Sequence, residues 1–119
     1  METMNAVERW VLRQAAEDQV EVWSVLSRLD FEPEPVPTGV ERRTRVLAAL
    51  GTLLKRGLIK PLAFANGRYA ELSRPWEQVL ESLEREWDQL GREPSGGELY
   101  VFVATGKGVR QANAANSSD

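Results

Sequence analysis

Residues 30–39 read Asp-Phe-Glu-Pro-Glu-Pro-Val-Pro-Thr-Gly. Prolines at 33, 35 and 37 remove three backbone donors and push the residues before them into extended conformations. No helix can run through this stretch. It divides the chain into an N-terminal helical part and everything that follows. The segment is short and stiff, which makes it a structural connector rather than a flexible linker. A polyproline docking segment is the alternative reading.

Ahead of the connector, residues 5–29 carry helical apolar spacing. Val7, Trp10, Val11 and Ala15 form one stripe, and Val22, Trp23, Leu26 and Leu29 a second. The polar triplet Glu17-Asp18-Gln19 separates them, so the reading is two helices, 5–16 and 19–29. Trp10 and Trp23 are expected in the core.

Behind it, Thr38 is placed to cap a helix, with Glu41 three residues on. Val46, Leu47, Leu50, Leu53 and Leu54 supply the buried stripe, and Gly57 the stop. Arg45, Ala49, Thr52 and Arg56 fall together on the opposite face. A strand over 58–64 and a return strand over 69–72 flank Asn66-Gly67, a strong hairpin signal. Pro61 places the first of these strands at a sheet edge or a bulge. Ser73 is the expected cap of the next helix, with Pro75 in its first turn. Trp76, Leu80, Leu83, Trp87 and Leu90 repeat at spacings of four, three, four and three, and Gly91 ends them. That stripe reads as core; a dimer seam through Trp76, Leu80, Leu83 and Trp87 is the alternative. Its flanks, Glu77, Glu81, Glu84, Glu86 and Asp88, suit a basic partner and repel DNA. Glu98 to Thr105 reads as a strand with both faces apolar, hence covered on both sides. Thr105-Gly106-Lys107-Gly108 reads as a strand-end turn, because it lacks the P-loop's upstream Gly and its Lys-Ser or Lys-Thr ending. A single domain over 1–110 with a disordered tail, 111–119, is expected.

Charge is unevenly distributed. Residues 41–70 carry Arg42, Arg43, Arg45, Lys55, Arg56, Lys60 and Arg68 against Glu41 alone, a net +6 inside a chain of net −3. Such asymmetry marks a surface for polyanions. Three arginines in the first turns of a helix also oppose its dipole, which calls for an anion or an acidic partner nearby. The chain has no Cys and no His. That removes disulfides, thiolate chemistry, the usual general base and the commonest metal ligand. No catalytic spacing appears, so neither an enzyme nor a cofactor is expected. No apolar run approaches the roughly 20 residues of a membrane span, and a cytoplasmic location is the default.

Val46-Leu47-Ala48-Ala49-Leu50, Leu53-Leu54 and Lys55-Arg56-Gly57-Leu58-Ile59, followed by the Asn66-Gly67 hairpin, resemble a winged helix-turn-helix domain over residues 5–72. The ten-residue proline loop departs from the tight turn usual there. The resemblance implies an α+β fold: three N-terminal helices, a β-hairpin wing, then an amphipathic helix and a strand completing a small antiparallel sheet. It also implies a DNA-binding transcriptional regulator. The third helix would meet duplex DNA through Arg42, Arg43, Arg45, Thr52 and Arg56, and the wing through Lys60 and Arg68. The C-terminal part is similar to short uncharacterised bacterial proteins, which implies no activity. The alternative function is a protein-interaction module of antitoxin or immunity type on the same fold. Either would be a monomer or a homodimer.

Overall fold

The computed structural model describes residues 4–34 and 38–117. Pro35 and Pro37 lie outside the described residues, and so do the last two residues of the expected tail. The described elements are α1 (Ala6–Glu17), β1 (Val20–Glu21), α2 (Val22–Leu29), α3 (Gly39–Lys55), β2 (Ile59–Ala65), β3 (Arg68–Glu71), α4 (Trp76–Leu90), β4 (Val101–Ala104) and α5 (Gly106–Ser117). The fold is therefore α+β, as expected, with one antiparallel sheet in the order β1-β4-β2-β3.

The expected break after residue 16 is present, and it holds a two-residue strand that the sequence did not signal. Asn5 starts α1 through a reciprocal capping box: its side chain accepts from Glu8 N–H at 2.8 Å and its own N–H donates to Glu8 at 2.9 Å. Val11, Leu12 and Ala15 then face inward. From α2 come Val22, Val25 and Leu29, and from α3 Val46, Leu50 and Leu53. These meet Phe102 of β4 in one core. Trp10 packs against that core, but Trp23 does not belong to it. Trp23 is 39% exposed, with its indole N–H on Glu21 at 2.9 Å.

Thr38 caps α3 by accepting from Glu41 N–H at 3.1 Å. The helix closes in a Schellman motif: Gly57 takes φ +70°, its N–H reaches Leu54 O, and Leu58 N–H reaches Leu53 O. Asn66 and Gly67, at φ +53° and +78°, make the two-residue turn that pairs Ala65 with Arg68 and Phe64 with Tyr69.

Pro61 corrects the edge assignment. β2 is an inner strand, with β4 on one side and β3 on the other. The Pro61 carbonyl accepts from Leu72 N–H at 3.3 Å. In an extended residue both backbone groups point the same way, so the missing donor faces the end of β3, where the ladder stops. The β4 side loses no bond.

Two further expectations are corrected. Ser73 does not cap α4. The cap position is Pro75, whose extended ψ of 148° leads directly into Trp76. The last strand is shorter than 98–105, because Leu99 has φ +63° and Glu98 is held in the preceding loop. Val101 and Phe102 are both buried, which agrees with cover on both faces.

The largest correction concerns the C-terminus. Thr105-Gly106-Lys107-Gly108 is a helix start, and residues assigned to a disordered tail form α5. Thr105 accepts from Gly108 N–H at 3.0 Å through its hydroxyl and from Val109 N–H at 2.9 Å through its carbonyl. The helix packs on α1 and β4 and buries Ala112. No helix among the described residues is long and apolar enough to cross a membrane.

Candidate interaction surfaces

Successive residues of a helix point about 100° apart, so arginines clustered in sequence separate in space. Arg42 turns toward the end of α2 and the loop after α4. Its guanidinium donates to Glu93 at 2.8 Å, to Asp30 at 2.6 Å and to the Leu26 carbonyl at 3.3 Å. Only 16% of its side chain is exposed. The Glu93 hydrogen bond above all, and Asp30 after it, hold its pKa above the ordinary value. Arg43 turns toward α4, donating to Asp88 at 2.6 Å and to the Glu84 carbonyl at 3.0 Å. It also lies 5.4 Å from the centre of the Trp87 ring, a cation–π distance. Thus two of the three cations that oppose the α3 dipole, Arg42 and Arg43, are answered within the chain. Arg45 is exposed and lines a cleft on the α1 side with Asn5, Val7 and Glu32.

The remaining expected site residues are scattered. Thr52 and Arg56 are half-buried, and the Arg56 carbonyl accepts from Lys107 Nζ. Ala49, read as solvent-facing, is buried. Lys60 is ion-paired with Glu71 across the hairpin. Arg68 is exposed at the hairpin turn. Arg45 and Arg68 make no ion pair among the described residues.

The stripe on α4 is core where it is deepest: Val79, Leu83 and Trp87 are buried. Trp76 and Leu80 are only half-buried. Leu80 approaches α3 at Gly51, where an added Cβ would lie 3.2 Å from its side chain. Beside this contact runs a groove of about 530 Å³, lined by Val40, Arg43, Thr44, Leu47, Ala48, Leu80 and Glu84. Val40 is 78% exposed. Glu77, Glu81 and Glu84 recur at spacings of four and three and form an exposed acidic row on α4, next to Leu80. Among the described residues none of the three makes an ion pair.

A second apolar patch lies on the hairpin. Phe64 is 66% and Tyr69 44% exposed, and their rings meet edge to face at 5.2 Å. Among the described residues β3 pairs only with β2 and is an edge strand of the sheet. This pair was legible, since a two-residue turn at Asn66-Gly67 forces 64 opposite 69. Asp30, Asp88 and Glu93 as partners of the arginines were not legible. They lie 12, 45 and 51 residues from the cations they bind, and no local pattern links such distant positions.

The loop after α4 is fixed by Glu98. Its carboxylate takes both terminal nitrogens of Arg92 at 2.7 Å, plus the Ser95 N–H at 2.7 Å and hydroxyl at 2.8 Å. These bonds, Arg92 first, lower its pKa to about 2. Burial, and the Glu86 carboxylate after it, push the Tyr100 phenol up. Among the described residues no carboxylate cluster is arranged to hold a metal ion.

No family model matches this chain, and no curated protein or solved structure matches it either.

Proposed function

We propose that this chain is a cytoplasmic protein-interaction module without catalytic activity, built on a winged-helix-like arrangement. The observation that carries this reading is the position of α4. It packs along α3 and presents Glu77, Glu81 and Glu84 as an exposed acidic row on that side of the molecule. Phosphates are repelled from such a surface, whereas exposed apolar groups there and on the hairpin favour a protein. The ion pairs of Arg42 and Arg43 support the same reading, because an external phosphate would have to displace a carboxylate from each.

A DNA-binding regulator is the second reading, supported by Arg45 and Arg68, which are exposed and without an ion pair among the described residues. One pair of measurements separates the two. The first is titration with genomic duplex fragments at low and physiological salt. The second is cross-linked capture from the source organism's extract. The interaction reading predicts a stoichiometric protein partner and no fragment bound above background. Sequence-preferring DNA binding that weakens in Arg45→Ala would overturn it.

A further inference from the structure

We infer that the groove between α3 and α4 receives a basic amphipathic helix of a partner protein. This rests on the interaction reading above and adds where the partner sits and what its surface must carry. The floor is apolar and shallow. Leu47, Ala48 and Leu80 form it, Val40 extends it at one end, and Gly51 lets Leu80 close against α3. Small side chains at Thr44 and Ala48 keep it open from above. On the α4 side Glu84 lines the groove, and Glu77 and Glu81 continue the exposed acidic row along the helix over about 10 Å. Arg43, also in the lining, already has its charge met by Asp88.

A carboxylate row at spacings of four and three matches Lys or Arg recurring at the same period on a facing helix. The apolar residues of that helix would sit one stripe over, against Leu47 and Leu80. Charge complementarity selects this occupant: the row repels nucleic acid and anionic lipid headgroups. A second copy of the chain fits poorly, because Arg42 and Arg43 of its most basic helix are already paired with carboxylates.

The probe is a synthetic 14-residue helical peptide of Leu and Lys, Leu at i, i+3, i+4 and i+7, with a Leu–Glu peptide of the same pattern as control. Binding to the full chain is read by fluorescence anisotropy. The Lys peptide should bind roughly tenfold or more tightly than the Glu peptide. The triple variant Glu77→Gln, Glu81→Gln, Glu84→Gln should weaken it by about tenfold. Ala48→Gln, which fills the trough without changing charge, should weaken it about as much. All substituted positions are exposed, so thermal melts should match wild type; the double variant Phe64→Ser, Tyr69→Ser should bind as wild type. Failure of the Lys peptide to bind at low salt would overturn the inference. So would binding that persists in Ala48→Gln, because attraction is then diffuse. A captured protein partner retained by both groove variants would also overturn it, while leaving the interaction reading intact.

Discussion

The two ends of α3 are anchored by different physics. At the N-terminal end, Arg42 and Arg43 reach outward to Asp30, Glu93 and Asp88, carboxylates that are themselves largely exposed. At the C-terminal end the main chain itself is clasped. Thr105 N–H donates to Leu58 O at 3.0 Å, its hydroxyl to Gly57 O at 2.6 Å, and Lys107 Nζ to Arg56 O at 2.9 Å. Gly108 packs so closely there that an added Cβ would stand 1.9 Å from Leu58 O. The first anchor is electrostatic and tolerates adjustment. The second is steric and does not. The groove proposed for a partner opens beside the adjustable end.

The sharpest test of that contrast is Gly108→Ala. Its Cβ would collide with a backbone oxygen that cannot rotate away, so the start of α5 must lift off Leu58. A loss of about 3–5 kcal/mol is expected by denaturant unfolding. A loss below about 1 kcal/mol would show that the C-terminal anchor yields too. Next in size is Thr105→Ala, which removes the cap of α5 and the bond to Gly57 O together. It should cost about 2 kcal/mol, insensitive to salt.

Arg42→Ala tests the other end. It should cost about 1 kcal/mol in dilute buffer and much less in about 1 M salt. An Arg42 effect that salt leaves unchanged would erase the distinction between the ends. The smallest effect is a pH dependence in the loop beside Arg42. The folded pKa of Glu98, about 2, lies below its ordinary 4.5. Its contribution is therefore complete above about pH 4.5 and fades as pH falls through about 2. Carboxyl chemical shifts followed by NMR should show this titration, and Arg92→Ala should move it upward.

The same contrast marks how far the sequence could be read. α3 and the hairpin were legible because their signals are local: Thr38, the Leu53-Leu54 stripe, Gly57, and Asn66-Gly67. The break near Glu17 was legible for the same reason, but β1 is two residues long and has no pattern of its own. α5 was missed because Gly106, Gly108 and its asparagines are poor helix formers, and it presents little more than Val109 and Ala112 as an apolar face. Its existence depends on docking at Leu58, a long-range fact. The basic block was visible as composition, yet its electrostatic meaning depended on Asp30, Asp88 and Glu93. The acidic row on α4 was visible as a pattern; its place beside the α3 groove was not.

The position of β4 has a consequence for how the chain matures on the ribosome. Among the described residues the sheet joins β1 to β2 only through Val101–Ala104. Glu21 pairs with Val101, 80 residues further along the chain. At translation rates of 5–20 residues per second, β1 waits about 4–16 s for its partner. During that interval β2 presents a bare edge, and α1 has neither β4 nor α5 to cover it. Chains truncated before residue 101 should therefore be chaperone clients, because they lack the strand that pairs with both β1 and β2.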